Sequence, residues 1–127
     1  MINVAGHRLG TREIEEALQA NPMVAECAVV GVADALKGQI PVAFVVLKDP
    51  SKASEATKIA IAQTVDKEIG AIARPGAVHL VSVLPKTRSG KLLRRTIQAI
   101  AEGRDPGDLT TIEDPASLAQ IRAVLGK

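Results

Sequence analysis

Residues 24–47 read VAECAVVGVADALKGQIPVAFVVL and contain the two strands around which the predicted domain is built. The first run, Val24 to Val32, is largely apolar and rich in β-branched residues, which is typical of a buried strand. The second run, Pro41 to Leu47, has the same character, and its proline stands at the first position, where a strand tolerates the loss of an N–H donor. Residues 33–39 between the two runs are polar and predict a loop.

The elements around these strands are predicted from turn-forming residues and from the spacing of apolar residues. In chain order they are a hairpin over residues 1–9, a helix from an N-cap at Thr11 to about Ala20, a second helix ending near Ile69, a third core strand from Val78 to Val83, a helix from about Leu92 to Glu102, and a short last helix beginning at Asp114 and Pro115. In the second helix, Ile61, Val65 and Ile69 recur at i, i+4 and i+8 and predict its buried face. This order predicts an α+β fold: a small central β-sheet of about three core strands with packed helices, plus an N-terminal β-hairpin.

The composition limits the function of the chain. Its 127 residues predict one domain over residues 1–127, large enough to bury a core. Apolar residues make up 46% of the chain, but Phe44 is its one aromatic residue, so the core must consist of Val, Ile, Leu and Ala. Single-stranded nucleic acids are bound by stacking bases on aromatic side chains, so the sequence argues against a nucleic-acid partner.

Cysteine and histidine are too few for a disulfide or a zinc site. Cys27 is the only cysteine, which excludes an intrachain disulfide and is typical of the reducing cytoplasm. Its apolar neighbours favour a small core residue over a nucleophile. His7 and His79 have no spacing typical of zinc ligands. Because the sequence shows neither a signal-peptide pattern nor a run of membrane-spanning length, we expect a cytoplasmic protein without a membrane partner.

Positive charge is concentrated in one short stretch after the third predicted strand. Residues 84–95, here named the basic segment, read LPKTRSGKLLRR and contain five cationic residues. The formal net charge of the whole chain is +2, so the remaining residues carry a net charge of −3. Turn-forming residues are followed here by apolar residues at near-helical spacing. We therefore expect Lys91 where an exposed turn meets the start of a helix.

Spacing alone leaves more than one interpretation of the basic segment. Most charge runs are solvated, so a solvated basic loop is one interpretation. A phosphate-binding P-loop is excluded, because its first glycine would fall on Pro85 and because Leu92 stands where a Ser or Thr would hold magnesium.

Residues 85–91, PKTRSGK, followed by Arg94 and Arg95, resemble the C-terminal signature of AMP-forming acyl-CoA synthetases of the acetate and propionate type. In that family the lysine that matches Lys91 is the catalytic lysine of the adenylation step. Residues 97–115 resemble the tail of the propionate–CoA ligases in the family. Together with the N-terminal motif described next, these residues extend the resemblance over nearly the whole chain.

A second motif carries the same resemblance. Residues 2–11, INVAGHRLGT, resemble the loop that opens the C-terminal domain of these synthetases and enters the active site during thioester formation. The resemblance implies that Gly6, next to Ala5, lies against the pantetheine of CoA, in a channel that any side chain would obstruct. It also implies that Arg8 contacts nucleotide phosphate. The residues alone favour a simple hairpin turn at Gly6 and a solvated strand residue at Arg8.

The resemblance implies the C-terminal domain of an acid–thiol ligase. Such enzymes join a short-chain carboxylate to ATP, release pyrophosphate, and then let the CoA thiol displace AMP. The implied cofactors are ATP, CoA and Mg²⁺, bound mainly by or with an N-terminal ATP- and acyl-binding domain that is absent here, as is the hinge. The chain would be a mobile lid domain, inactive alone, and a target for a lysine acyltransferase and deacylase. Its abrupt start inside a predicted strand also suggests a fragment of a longer protein.

Two further sites follow from the resemblance. Acetate-type relatives bind a structural cation through groups after the first helix, at positions that correspond to Gln19, Asn21 and Val24. The same relatives use an arginine near the end of the second helix for the CoA 3′-phosphate, where this chain has Asp66 and then Lys67. CoA anchoring at that point is therefore expected to differ.

A different class of function is left open by the residues. A free-standing anion- or nucleotide-binding module could use the basic segment to engage another protein. That hypothesis needs neither the ligase chemistry nor an N-terminal domain.

Overall fold

The structure is a computed structural model that describes residues 2–4, 7–34, 38–70, 74–104 and 116–125, with the backbone alone for residues 2–4, 7–9 and 33–34. The strands are β1 Ile2–Val4, β2 His7–Leu9, β3 Val24–Asp34, β4 Gly38–Leu47 and β5 Ala77–Leu80. The helices are α1 Thr11–Gln19, α2 Glu55–Glu68, α3 Arg94–Ala101 and α4 Ala116–Leu125, with a 3-10 turn at Pro50–Lys52. None of these described helices combines the length and apolarity needed to cross a lipid bilayer.

Strand β4 is the centre of the sheet. It pairs antiparallel with β3 along its whole length, and it pairs in parallel with β5 from Val42↔Ala77 to Val45↔Leu80. The β1–β2 hairpin joins at the beginning of β4, through Val4↔Gly38. Because β3 occupies one edge of β4, the hairpin and β5 share the other edge. The described sheet therefore has three core strands and an added hairpin, which confirms the predicted α+β class.

The alternation of side chains along β3 and β4 creates two hydrophobic cores, one on each face of the sheet. The face that carries Val29 and Val45 packs against α1 and α2, whose buried contributions are Ile14, Ala17, Leu18, Ile61 and Val65. The face that carries Val30 and Phe44 packs against α3 and α4, whose buried contributions are Ile97, Ile100, Leu118 and Ile121. Both faces of the sheet are covered, as the continuous apolar runs of β3 and β4 predicted.

The predicted limits of the polar loop at residues 33–39 are wrong, and Pro41 is the fourth residue of its strand rather than the first, paired with Gly31. β3 continues to Asp34 and β4 already begins at Gly38, with Asp34↔Gly38 as the last pair of the ladder. The ladder hydrogen bonds extend through polar residues because strand formation depends on pairing as well as on side-chain character. The connection is therefore confined to residues 35–37, which lie outside the described residues.

The helix boundaries differ from the predictions at several points. Thr11 is the first residue of α1 rather than its N-cap, because the carbonyl of Gly10 already accepts the N–H of Ile14 at 3.3 Å. Helix α2 ends at Glu68, so Ile69 leaves the predicted apolar stripe and is 38% exposed. Helix α3 begins at Arg94 rather than near Leu92, since Leu92 forms an antiparallel bridge with Lys86.

The third core strand is shorter than predicted and stops at Leu80. Beyond it, the backbone N–H groups of Ser82 and Val83 donate to the side-chain oxygen of Gln120 in α4, at 2.7 and 3.2 Å. A side chain from α4 thus takes the place of a strand partner. The predicted last helix is confirmed as α4, whereas its predicted cap at Asp114 and Pro115 lies outside the described residues.

Helix α2 offers a matched test of the core. Ile61 is fully buried, whereas Ile59 on the same helix is 57% exposed. We expect Ile61→Ala to lower the free energy of unfolding by about 2–5 kcal/mol, because it leaves a cavity in the core. Ile59→Ala should change the free energy of unfolding by less than about 0.5 kcal/mol. Urea denaturation of both variants measures the difference, and equal losses would contradict the observed packing of α2.

Candidate functional site

The basic segment closes into a tight turn before α3. The N–H of Thr87 donates to the carbonyl of Lys91 at 2.8 Å, and the N–H of Gly90 donates to the carbonyl of Thr87 at 2.8 Å. Gly90 has φ +89°, a left-handed conformation that glycine adopts without steric cost. The turn thus has a defined internal shape that depends on this glycine.

Lys91 lies at the end of this turn with an exposed side chain. Its backbone is held on both sides, since its N–H donates to Thr87 Oγ1 at 3.1 Å and its carbonyl accepts the N–H of Thr87. Among the described residues, no hydrogen bond or ion pair engages its ammonium group. The exposed position of Lys91 in a turn shortly before a helix agrees with the prediction from the sequence. The sequence predicted a mobile turn, whereas the structure shows a hydrogen-bonded one.

Two ion pairs attach the basic segment to the rest of the domain. Lys86, before the turn, pairs with Glu26 of β3, and Arg94, after the turn, pairs with Glu15 of α1. The remaining three cations of the segment are exposed: Arg88, Lys91 and Arg95. Two of the five cations are thus structural, and three are directed to solvent.

Glu15 is the residue of this site that sequence reasoning missed. Its side chain is only 9% exposed. One carboxylate oxygen accepts the backbone N–H of Val29 and the Nε–H of Arg94, both at 2.9 Å, and the other accepts Arg94 Nη2–H. The hydrogen bond from Arg94 to this carboxylate is the main reason that the pKa of Arg94 is raised. The available sequence signal was its place within the apolar stripe, between Ile14 and Leu18.

The outer edge of β3 is closed by side chains. Glu15 accepts the N–H of Val29, and Gln98 of α3 donates to the carbonyl of Gly31 at 2.9 Å. Unpaired groups on an edge strand otherwise invite pairing with another chain. The edge of β3 is therefore contacted by α1, by α3 and by the basic segment.

Cys27 lies beside Glu15 and has a structural role. Its thiol donates to the Glu15 carbonyl at 3.4 Å, and its side chain is buried in the core next to α1. Burial, and then the negative charge of Glu15, raise the pKa of Cys27 to about 11. The thiolate is the nucleophilic form, so the structure supports the prediction of a core residue rather than a nucleophile.

The raised pKa of Cys27 has a testable consequence. The folded state holds the protonated thiol, so the stability due to this group is complete below pH 9 and is lost as the pH rises toward about 11. We expect a Cys27→Ser variant to lose less stability than the original chain over this range. Urea denaturation at pH 8 and pH 10.5 measures it, and identical losses would contradict the assignment.

The residues of the second sequence motif are only partly described. Ala5 and Gly6 lie outside the described residues. Arg8 lies in β2, where its backbone pairs with Asn3, and its side chain lies outside the described residues. The hairpin joins the sheet at Gly38. It therefore lies at the end of the β3–β4 pair that contains Asp34.

The predicted cation ligands lie at the opposite end of β3. Asn21 is buried; its backbone carbonyl accepts the N–H of Val24 at 3.1 Å, and its side-chain oxygen accepts the N–H of Met23 at 2.9 Å. The Gln19 amide is directed to the sulfur of Cys27 at 3.8 Å. With 3.3 Å per residue along the strand, this end lies about 30 Å from the hairpin. The structure thus separates these two predicted sites rather than joining them.

Asp66, which the resemblance places at the predicted CoA 3′-phosphate position, forms a two-point ion pair with Arg74. Arg74 Nε–H donates to one oxygen at 2.8 Å, and Nη2 lies 2.6 Å from the other. A guanidinium group is thus present beside this position, although it comes from a different residue. The neighbouring Lys67 is exposed.

The class of protein follows from a comparison of this fold and this basic segment with known families. Residues 13–91 match the family described as AMP-binding enzyme C-terminal domain, so the chain belongs to that family. The match ends at Lys91. It includes most of α1, the whole β3–β4 pair and the turn at residues 87–91, here named the basic turn.

Particular relatives agree with the family. Propionate–CoA ligase of Escherichia coli (strain K12) is 62% identical over 130 residues, which cover 98% of this chain and 21% of that protein. Acetyl-coenzyme A synthetase of Pyrobaculum arsenaticum is 50% identical over 96% of this chain and 18% of that protein. The chain therefore spans about a fifth of the length of the curated relatives that it matches.

Solved structures give the same fold. An anthranilate CoA ligase in complex with anthranoyl-AMP superposes with a TM-score of 0.73 at 34% identity, over 80% of this chain and 20% of that chain. An acyl-CoA synthetase of Brucella canis has a TM-score of 0.68 at 38% identity, over 72% of this chain and 17% of that chain. The predicted α+β fold and the predicted family are confirmed.

Proposed function

We propose that residues 1–127 act as the C-terminal, mobile domain of an AMP-forming short-chain acyl-CoA synthetase, with propionate as the acid. The substrates of the whole enzyme are a short-chain carboxylate, ATP and CoA. Its partner is the N-terminal domain of the same protein, in the cytoplasm. Family membership and the 62% identity to a propionate–CoA ligase support this proposal. The alternative of a free-standing anion-binding module has no specific observation in its favour.

The exposed ammonium of Lys91 on an anchored turn is the observation that carries the proposal. A catalytic cation must be free of internal partners in order to reach a substrate, and it must start from a fixed place. Within the described part of the chain, Lys91 has a hydrogen-bonded backbone and an unengaged ammonium group. Lys86 and Arg94 of the same segment are engaged instead in ion pairs with the domain.

The chemistry of adenylation explains why a cation is needed. A carboxylate that attacks the α-phosphate of ATP brings two anions to about 4 Å, a repulsion of roughly 4 kcal/mol at an effective dielectric constant of 20. An ammonium between the two reacting oxygens lowers this repulsion and stabilises the charge that develops in the transition state. We assign this role to Lys91, while the N-terminal domain holds most of the ATP and its Mg²⁺.

The β1–β2 hairpin is proposed to serve the second half-reaction. After adenylation the domain would rotate, so that Ala5 and Gly6 line the channel of the CoA pantetheine and Arg8 contacts nucleotide phosphate. The structure puts the hairpin at one end of β4 and attaches the basic segment to the edge of β3. The hairpin and the basic segment are thus two separate surfaces of one sheet, which suits an enzyme that uses one surface in each half-reaction.

We also propose a structural cation at Gln19, Asn21 and Val24. The donors there are neutral carbonyl and amide oxygens, without a carboxylate. Both oxygens of Asn21 already accept one backbone N–H each, which leaves one lone pair on each. This set fits a weakly bound cation, and no catalytic step depends on it.

Exposure of Lys91 also suits regulation by a lysine acyltransferase and a deacylase. Acylation removes the positive charge and adds bulk at the ammonium group. The exposed neighbours Ser89 and Gly90 leave the side chain accessible to a modifying enzyme.

Lys91→Ala tests the proposed function in the full-length enzyme. We expect acyl-adenylate formation to fall by about 10²-fold or more, the effect of losing one preorganised charge-stabilising donor. Thioester formation from supplied acyl-adenylate should remain nearly intact. Lys91→Arg should not restore the first step, because a planar guanidinium does not occupy the same point between two oxygens. Pyrophosphate exchange and single-turnover thioester assays measure the two half-reactions separately.

Lys52→Ala is the matched control for this experiment. Lys52 is an exposed lysine in the 3-10 turn and does not belong to the basic segment. Its replacement should leave both half-reactions unchanged. Equal losses in both half-reactions of Lys91→Ala, or no loss in the first, would contradict the catalytic assignment.

Gly6→Leu tests the proposed CoA channel. In the full-length enzyme a leucine side chain should obstruct the pantetheine, so that thioester formation is blocked while adenylation proceeds. The same two assays measure the outcome. A parallel loss of both half-reactions would show that Gly6 acts on folding or on domain rotation instead.

A further inference from the structure

Glu15 carries a buried negative charge that the proposed chemistry does not use. Its carboxylate is removed from solvent by α1 and β3, and it accepts three hydrogen bonds: one from Val29 and two from Arg94. A carboxylate that accepts both N–H groups of a guanidinium forms a strong and directional pair. Such a pair fixes the orientation of the arginine as well as its distance.

Because Arg94 lies close to Lys91 in the chain, its ion pair with Glu15 also restricts the position of Lys91. Arg94 is the first residue of α3 and lies three residues after Lys91. Three extended residues span at most about 11 Å, so a fixed Arg94 confines Lys91 to a small region. On the other arm of the turn, Lys86 pairs with Glu26 of β3. The N–H of Leu93 donates to the Pro85 carbonyl at 3.0 Å and joins the two arms.

The hydrogen bonds within the turn do not fix its orientation relative to the sheet. They fix the internal shape of residues 87–91, but none of them connects the turn to the sheet. The two arms pack against the core through Leu84, Leu92 and Leu93, but apolar packing is non-directional and does not by itself set the direction of the exposed residues 88–91 relative to β3. A misplacement of about 1 Å at a reacting group can cost about 10²-fold in rate. The orientation of the turn relative to the sheet is therefore the quantity that needs control.

We infer that Glu15 and Arg94 are positioning residues for Lys91. Their ion pair holds the basic turn in one direction relative to the sheet and so presents the Lys91 ammonium at a constant place. The positioning rests on the geometry of this chain, and its catalytic consequence rests on the proposed function.

The positioning is tested first on the chain itself, with Glu15→Gln. Glutamine keeps the volume and a carbonyl that accepts the Val29 N–H, but it turns amide hydrogens toward Arg94. We expect backbone order parameters of residues 88–91 to fall, and amide exchange at Leu93 to accelerate by about tenfold, as the anchor opens more often. Exchange at Val45, in the core of the sheet, should not change.

Glu16→Gln is the matched control, since Glu16 is the next residue of the same helix and its side chain is exposed. It should leave the order parameters of the turn unchanged. Arg94→Lys is the second variant, because it retains the charge but loses the two-point geometry. Unchanged order in residues 88–91 of either folded anchor variant would overturn the inference.

The catalytic consequence is tested in the full-length enzyme. Glu15→Gln should lower the kcat of acyl-adenylate formation by about tenfold or more, with the KM for ATP and the thioester step unchanged. Combined with Lys91→Ala, it should cause no further loss, because the anchor acts only through that lysine. A further loss of adenylation rate in the double variant would overturn the inference, and so would an equal loss of both half-reactions in Glu15→Gln. Either result would mean that Glu15 stabilises the fold in general rather than positioning Lys91.

These measurements separate the two hypotheses. If Lys91→Ala leaves adenylation intact, the proposed function is wrong, and the order parameters of the turn decide the positioning on their own. If Lys91→Ala abolishes adenylation but Glu15→Gln neither loosens the turn nor lowers kcat, the proposed function stands and the positioning inference is wrong.

Discussion

The hydrogen-bonded ladder between β3 and β4 is the constraint on which the rest of the domain depends. It fixes which residues face each side of the sheet: Val29 and Val45 face α1 and α2, whereas Val30 and Phe44 face α3 and α4. A shift of one residue in this register would exchange the two faces. Both helical layers, and through them the basic segment, take their positions from this single pairing.

The ladder leaves one strand edge open, and the closure of that edge links the fold to the site. The outer edge of β3 is covered by polar side chains of α1 and α3 rather than by another strand. One of these side chains, Glu15, also binds the arginine that begins α3. The group that protects the edge from pairing is thus the group that anchors the basic turn. Stability of the edge and orientation of Lys91 are consequences of the same buried carboxylate.

Charges in this domain have two roles, and the presence or absence of an ion-pair partner distinguishes them. Cations of the basic segment that meet a carboxylate of the edge are engaged in the structure, as Lys86 and Arg94 are. Lys91 is exposed, and among the described residues its ammonium group has no ion-pair partner. Cys27, in contrast, is buried beside Glu15, and its raised pKa keeps it neutral and unreactive. The role of each group thus follows from its partners and its surroundings, since two lysines of the same segment, Lys86 and Lys91, differ in this way.

The sequence by itself determined the α+β class, the two central strands and the family, because apolar runs and the PKTRSGK motif are local patterns. It also predicted the exposed turn at Lys91, since turn-forming residues are local signals as well. It did not predict the lengths of β3 and β4, which depend on pairing between distant residues, or the start of α3, which a bridge between Lys86 and Leu92 delays. The buried role of Glu15 was decided only by the tertiary structure. From the sequence, a glutamate near a helix N-terminus is expected to be a solvated charge. Its partners Val29 and Arg94 are 14 and 79 residues away along the chain, so only the folded structure shows that they bind it.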